Sequence, residues 1–215
     1  GWFPSWIKPD QYKRPAFFHG INEGCGVGDV LILAIKLTDA GLGNYWDDVG
    51  YIVRNYLTEQ QVVDLEQMRK CAGARGGSDE VLKKFLGGFG MALPNSMDPL
   101  VNGCCSANGA ISLYYAWHGI TRFDNGVATV NLFLNRASKW MDVDSYLPYE
   151  GKVVLKNKMV HTALVRIPGW LDSKSVRCFV NNRAVRPAVS NGYLVFEKLK
   201  KAVSGHRRVK RVDAA

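Results

Sequence analysis

The chain has 215 residues, of which 47% are hydrophobic and 11% aromatic, and it carries a net charge of +9. This composition excludes a disordered chain, and the length suits one or two modest domains that each bury a core. No run of about 18 apolar residues occurs, which argues against a membrane span, and no signal peptide is visible at the N-terminus. Because a mature or cut chain would also lack a signal peptide, the sequence leaves the compartment open.

Helical patterns follow an N-terminal segment that is rich in proline and aromatic residues. A helix is predicted over Val27–Ala40, and its apolar residues nearly surround it, so we expect protein on both sides. A second helix, over 44–60, places its apolar residues on one stripe with a 3.6-residue period. Shorter helical segments are predicted over 62–70 and 79–86, and a third helix over 106–118. The apolar residues on one side of this third helix are Ala107, Ala110, Ile111, Tyr114 and Trp117.

The pattern changes after Gly126, where runs of β-branched and aromatic residues indicate short strands. These runs are 127–135, 152–158, 162–167, 176–180 and 193–196. Asn125-Gly126, Asn181-Asn182 and Asn191-Gly192 supply turns between the predicted strands. Short strands at this spacing predict a β-sandwich after residue 125, so the fold class is α+β, with helices first and strands second.

Much of the positive charge lies near the C-terminus, in Lys198, Lys200, Lys201, Arg207, Arg208, Lys210 and Arg211. One interpretation is a tail that binds nucleic acid or another anionic surface, and the other is a solvated terminus without a partner. No aromatic residues alternate with these charges as they do in single-strand binders. We therefore predict that residues 201–215 form a disordered basic tail, with no nucleic-acid partner.

The five cysteines are an odd number, which argues against a full disulfide framework. Adjacent cysteines such as Cys104 and Cys105 rarely bond each other, so this pair indicates metal ligands or reactive thiols. Glu23-Gly-Cys25 precedes the first predicted helix, and Gly103-Cys104-Cys105 precedes the third. Helix starts favour thiolates, and three sulfurs with one carboxylate would complete a tetrahedral zinc shell. The alternative is a set of buried, inert cysteines, which are common in protein cores.

Three stretches of the chain resemble glycoside hydrolase family 127, the β-L-arabinofuranosidase-like family. They are Glu23-Gly-Cys25, Gly103-Cys104-Cys105-Ser-Ala-Asn108-Gly and Arg166-Ile-Pro-Gly-Trp170, in the family's order. The resemblance covers roughly residues 17–196. It implies part of an (α/α)₆ barrel over 1–124, which carries the site, and a β-sandwich over 125–200.

The resemblance also implies the roles of four residues. Glu23, Cys25, Cys104 and Cys105 match the ligands of one Zn²⁺ ion, and Cys104 matches the cysteine nucleophile of a retaining glycosidase. The implied partner is an arabinose-containing or related glycan. Asn108 would cap the helix or hydrogen-bond a sulfur, while Arg166 and Trp170 belong to the structure of the sandwich.

The chain departs from the family pattern at two places. Ser106-Ala107 stand where the family usually has two prolines, which indicates a divergent branch. The family's general acid/base is a glutamate upstream of the Glu-x-Cys pair, and residues 1–22 contain no glutamate. We therefore expect a fragment of a longer enzyme, with self-association through an open barrel face. The alternative function is an inactive chain with a structural zinc site and a glycan-binding or packing role only.

Overall fold

The computed structural model describes residues 24–72, 78–90, 103–200 and 209–214, with the backbone alone at 67, 71–72 and 209–214. The chain divides into two compact units, Gly1–Ala116 and Trp117–Ala215. The division falls within a helix, earlier than the boundary near residue 125 that the sequence pattern predicts. Within the described ranges, no helix is both long enough and apolar enough to cross a membrane.

The first unit is helical over its described residues. Its helices are α1 (Gly24–Asp39), α2 (Trp46–Ile52), α3 (Leu65–Ala72), α4 (Asp79–Lys83) and α5 (Gly103–Gly119). The first and third helices predicted from periodicity are therefore confirmed as α1 and α5, each beginning about three residues before its predicted start.

The second predicted helix is confirmed only in part. Helix α2 ends at Ile52, and the chain continues through a π-helical turn, Val53–Leu57, and a 3-10 turn, Thr58–Gln60. The hydroxyl of Thr58 donates to the carbonyl oxygens of Val53 and Arg54 at 3.0 and 3.1 Å. This competition with the backbone ladder accompanies the change from α to π geometry, which apolar periodicity alone does not reveal.

The prediction that protein covers α1 on both sides is wrong for one side. The buried residues of α1 are Gly24, Val27, Gly28, Leu31, Ala34 and Ile35, which form one stripe along the helix. Leu33 lies away from this stripe and is 54% exposed. Helix α1 therefore has a single buried face, and that face includes two glycines.

The buried face of helix α5 consists of small residues, and its large apolar residues are exposed or half-buried. The buried stripe consists of Cys105, Gly109, Ser112 and Ala116. Ile111 and Tyr114, on the side that carries the larger apolar residues, are 48% and 59% exposed. The orientation of α5 is thus set by how closely other backbone can approach it, because only the small-residue face permits a close contact.

The second unit contains two five-stranded sheets. The strands are β1 (Thr121–Asp124), β2 (Val127–Val130), β3 (Met141–Ser145), β4 (Lys152–Asn157), β5 (Thr162–Arg166), β6 (Val176–Val180), β7 (Arg183–Val185), β8 (Ala188–Ser190), β9 (Tyr193–Phe196) and β10 (Val209–Ala214). Their orders are β1-β2-β5-β9-β8 and β3-β4-β10-β6-β7. All neighbours are antiparallel except β2 and β5.

All three predicted turns have the backbone geometry that a tight hairpin needs. Asn181 and Asn182, between β6 and β7, have φ angles of 51° and 62°. Asn125 and Gly126 have φ angles of 45° and 84°, and Asn191 and Gly192 have φ angles of 48° and 79°. Positive φ at both central residues matches the right-handed twist of the flanking strands, and Asn-Gly adopts it at low cost. The two Asn-Gly turns connect β1 to β2 and β8 to β9.

Strand β10 corrects the prediction of a disordered tail for residues 209–214. It pairs with β4 on one side and with β6 on the other, both in antiparallel register. A central strand has both backbone edges hydrogen-bonded, so the basic residues Lys210 and Arg211 belong to a sheet. Residues 201–208 and 215 lie outside the described residues.

Candidate metal centre

Two distant stretches of the chain bring three cysteine sulfurs together. Cys25 is the second residue of α1, and Cys104 and Cys105 are the second and third residues of α5. The three Sγ atoms all lie within 4.8 Å of one another. The Sγ atoms of Cys25 and Cys105 are 3.6 Å apart, although 80 positions separate the two residues in sequence.

Glycines on α1 permit this convergence because the two helices approach closely. A Cβ atom added at Gly24 would lie 2.9 Å from the carbonyl oxygen of Gly90 and 3.2 Å from the Cβ of Cys105. One turn further along, a Cβ at Gly28 would lie 2.4 Å from the Oγ of Ser112. Such distances are below van der Waals contact, so side chains at either position would force the helices apart. We call these four residues, Gly24, Gly28, Cys105 and Ser112, the α1–α5 seam.

Phe89 packs against α5 on the turn that follows the cysteine pair. A Cβ at Gly109 would lie 2.4 Å from the ring of Phe89, so only glycine leaves room for that ring. The backbone N–H of Phe89 donates to the hydroxyl of Ser106 at 3.1 Å. Ser106 therefore has a defined structural use at the position where the resembling family usually has proline. Phe89 was not among the residues that sequence reasoning selected, because its contact with α5 is not local.

The three sulfurs differ in how much solvent reaches them. Cys105 is fully buried at 0% exposure, Cys25 is partly buried, and Cys104 is exposed. A small molecule from solvent can therefore reach Cys104 most directly. Cys25 is less accessible than Cys104, and Cys105 cannot meet such a molecule without a rearrangement.

The electrostatics of the cluster disfavour thiolates when no cation is bound. Burial raises the pKa of Cys25 to about 12, and its hydrogen bonds with Cys104 and Cys105 and the repulsion between the sulfurs act in the same direction. Burial is also the largest cause that raises the pKa of Cys105. A divalent cation would reverse this balance, because it stabilises the deprotonated sulfurs and releases their protons.

The donor set fits a thiophilic metal ion. In a tetrahedral zinc site with Zn–S bonds of about 2.3 Å, neighbouring sulfurs lie about 3.8 Å apart. The distance of 3.6 Å between Cys25 and Cys105 is close to this value. The first turns of α1 and α5 also present backbone N–H groups, which favour negative charge on the sulfurs. The three cysteines could therefore hold a metal ion.

The fourth predicted ligand, Glu23, lies outside the described residues. It directly precedes Gly24, the first residue of α1, and its role stays a prediction. No fourth ligand accompanies the three cysteines among the residues that the structure describes.

A carboxylate and an amide lie one helical turn beyond the cysteines. The Nδ2 of Asn108 donates to the Oδ1 of Asp29 at 3.4 Å, which links α5 to α1. Asn108 was expected to cap the helix or to bond a sulfur, whereas this bond goes to a carboxylate. Sequence reasoning did not select Asp29. The signal that could have found it is its position four residues after Cys25, on the same face of the helix.

The second unit contains Cys178 and residues 166–170, the third of the stretches that carry the family resemblance. Cys178, on β6, is 5% exposed, and burial raises its pKa to about 11. Arg166 is 6% exposed, and its Nε donates to the carbonyl oxygen of Asn131 at 2.7 Å, which is a structural contact. Trp170 is 65% exposed.

Comparisons with known proteins place the fold. No protein-family model and no curated protein matches the chain. Among solved structures, it is similar to a GH127 β-arabinofuranosidase, with a TM-score of 0.59 and 16% identity over 92% of this chain and 32% of that one. It is also similar to a GH127 β-L-arabinofuranosidase from Geobacillus stearothermophilus T6, with a TM-score of 0.54 and 14% identity over 91% of this chain and 32% of that one.

A third solved structure, described as a glycoside hydrolase, gives a TM-score of 0.62 at 13% identity, over 92% of this chain and 33% of that one. The chain thus spans about one third of the length of each of these structures. At these identities the similarity concerns the fold. The chain has a GH127-like fold, with a cluster of three cysteines that could hold a metal ion.

Proposed function

We propose that this chain carries the metal–thiolate site of a retaining glycoside hydrolase that acts on β-L-arabinofuranosides or a related glycan. The observation that carries the proposal is the exposure of Cys104 within the three-cysteine cluster, in a chain whose fold resembles GH127 enzymes. We also propose that residues 1–124 are part of an (α/α)₆ barrel and residues 125–200 a β-sandwich. The order of helices and sheets supports this division.

Cys25, Cys104 and Cys105 would hold Zn²⁺, with Glu23 as the predicted fourth ligand. Zinc bound there would lower the pKa of the thiols, so that thiolates exist at neutral pH. The exposed Cys104 is then the nucleophile, because its sulfur is the one that a bound sugar reaches most directly.

The proposed reaction has two steps at Cys104. Its sulfur attacks the anomeric carbon, a C–S bond forms, and the bond from that carbon to the leaving oxygen breaks. Water then displaces the sulfur, as a thiolate, from the opposite face and releases a proton to solvent, which gives net retention at the anomeric carbon. Cys25 and Cys105 remain at the helix starts throughout and hold the geometry of the cluster.

In the test, the zinc-loaded full chain is incubated with 4-nitrophenyl β-L-arabinofuranoside. Nitrophenolate leaves without a protonated general acid, so the first step does not depend on that residue. We expect intact-mass spectrometry to show one glycosyl group on the chain and peptide mapping to place it on Cys104. Cys104→Ala should keep its circular dichroism spectrum and form no adduct.

Cys178→Ala is the matched control, because it removes a buried thiol that lies outside the cluster. It should label at the wild-type rate. An adduct of equal yield in the Cys104→Ala protein would overturn the proposal.

The second candidate is a structural zinc site in a chain with a glycan-binding or packing role only. The burial of Cys105 and the partial burial of Cys25 favour it, because a structural zinc site is closed to solvent. This candidate predicts zinc bound at the three cysteines but no adduct on Cys104. The same experiment therefore separates the two candidates.

We also propose that copies of the chain associate through exposed apolar side chains. Leu33 on α1 and Ile111 and Tyr114 on α5 are 54%, 48% and 59% exposed. Exposed apolar side chains favour association where they form one contiguous patch. Sedimentation velocity over a range of concentrations tests this, and a concentration-independent monomer would contradict it.

A further inference from the structure

We infer that Asp29 and Asn108 bind the hydroxyl groups of the sugar that reacts at Cys104, and that they select a neutral sugar over one that carries a carboxylate. This inference rests on the proposed function of Cys104 and names the substrate class of the same site.

The positions of the two residues on their helices direct them toward the cysteines. Asp29 follows Cys25 by four residues on α1, and Asn108 follows Cys104 by four residues on α5. Residues four apart lie on the same face of a helix. Side chains on a helix lean toward its N-terminus, so both side chains lean toward the turn that carries the sulfurs.

The contact between the two side chains holds them side by side. The Asn108 Nδ2 donates to the Asp29 Oδ1 at 3.4 Å, across the gap between α1 and α5. The close approach of the backbones at Gly28 and Ser112 fixes the width of this gap. The bond lies at the surface, Asp29 is exposed, and Asn108 is partly exposed, so solvent reaches the pair as it reaches Cys104.

The chemistry of the pair suits sugar hydroxyl groups. A carboxylate offers two oxygen acceptors, and an amide offers one oxygen acceptor and two N–H donors. With one N–H of Asn108 engaged by Asp29, the pair still presents carboxylate and amide oxygens as acceptors and one N–H as a donor. A hydroxyl group both donates and accepts, so neighbouring hydroxyls of a furanose can bond to the two side chains together.

The charge of Asp29 restricts which sugars fit. Among the described residues, its carboxylate makes its contact with the neutral amide of Asn108 and lies in no ion pair. A carboxylate at this position repels a second carboxylate that is brought next to it. A neutral pentose or hexose is therefore favoured over a uronic acid at this position.

The test compares Asp29→Asn with the wild type in the labelling of Cys104 by 4-nitrophenyl β-L-arabinofuranoside, with zinc content measured on each protein. Loss of a charged hydrogen-bond partner should raise the half-saturating concentration about 10-fold or more and change the maximal labelling rate much less. The ratio of labelling rates between this probe and the 4-nitrophenyl glycoside of a uronic acid should fall in the variant.

Asp39→Asn is the matched control, because it removes the same charge from the other end of α1 and should behave as the wild type. Equal half-saturation and equal discrimination in Asp29→Asn and Asp39→Asn, with zinc bound and Cys104 labelled, would overturn this inference alone. A wild type that binds zinc but never labels at Cys104 would overturn the proposed function, and this inference with it.

Discussion

The helical unit and the sheet unit both bury thiols, but only the helical unit makes them converge. Burial is the largest cause that raises the pKa of Cys25 to about 12 and that of Cys178 to about 11. Cys178 lies alone on strand β6. Cys25 has two other sulfurs within 4.8 Å. Burial of a thiol is therefore common to both regions and does not itself indicate a site.

The difference lies in how the two regions pack. The sheets bury side chains such as Val143, Leu155 and Val165 along their strands. The α1–α5 seam instead buries glycine, serine and cysteine. The two backbones therefore come close enough for sulfurs on different helices to reach one metal ion. A contact between small residues buries less apolar surface, but it brings the sulfur atoms of two helices close together.

Removing one sulfur of the cluster should have the largest effect, because it weakens metal binding, the property that separates the cysteines of the helical unit from Cys178. Cys105→Ser should weaken zinc binding roughly 100-fold, because a structural zinc site contributes about 10–16 kcal/mol over four ligands. Zinc per chain, measured by elemental analysis, and competition with a chromophoric chelator check this. Cys178→Ser removes an equally buried thiol and should leave zinc affinity unchanged. Equal affinities in the two variants would show that the cluster is not a zinc site.

A methyl group added to the seam should have the next largest effect. In Gly24→Ala the new Cβ lies 2.9 Å from the carbonyl oxygen of Gly90, and backbone must move. We expect a loss of about 1–3 kcal/mol in the free energy of unfolding, typical of an overpacked core, together with weaker zinc binding. Urea unfolding and the chelator titration measure the two effects.

Gly26→Ala provides the control two residues away on the same helix. No atom lies within 4 Å of a Cβ built at Gly26, so the substitution adds no clash. Alanine in a helix should stabilise the protein by up to about 1 kcal/mol relative to glycine. A similar loss in both variants would contradict the close-packed seam.

The two units also differ in how much of them could be predicted from sequence. Periodicity predicts α1 and α5 because each is one continuous helix, and Asn125-Gly126 predicts a hairpin because its turn chemistry is local. Strand β10 could not be predicted this way, since its place between β4 and β6 depends on pairing with residues far away in sequence. Its basic residues instead indicated a solvated tail.

The candidate site shows the same limit. Cys25 and the Cys104–Cys105 pair could be selected from residue type and from their place before predicted helices. The buried face of α5 could not, because apolar patterning points to Ile111 and Tyr114, whereas the contact with α1 uses Cys105 and Ser112. Residues that act by being small or by a cross-helix bond, such as Asp29, carry little signal in a single sequence.

The smallest expected effect is a pH dependence that distinguishes Cys25 from Cys178 only when zinc is present. In the metal-free protein the pKa of Cys25 is raised from its ordinary value of 9.0 to about 12. The folded state therefore holds this proton more tightly than the unfolded state, and the stabilisation is complete below pH 9 and is lost as the pH rises toward 12. Cys178, with its pKa raised from 9.0 to about 11, acts in the same direction.

Urea unfolding on either side of pH 9.0 tests this. The free energy of unfolding should decline less with rising pH in metal-free Cys25→Ala and in metal-free Cys178→Ala than in the metal-free wild type. Zinc removes the proton from Cys25 and not from Cys178, so in the zinc-loaded wild type the folded state holds no proton at Cys25 while the unfolded state binds one below pH 9.0. The Cys25 part of the decline should therefore be replaced by a gain in stability as the pH rises toward 9.0, and only the Cys178 part of the decline should remain above it. A decline that zinc leaves unchanged would mean that the metal does not bind at Cys25.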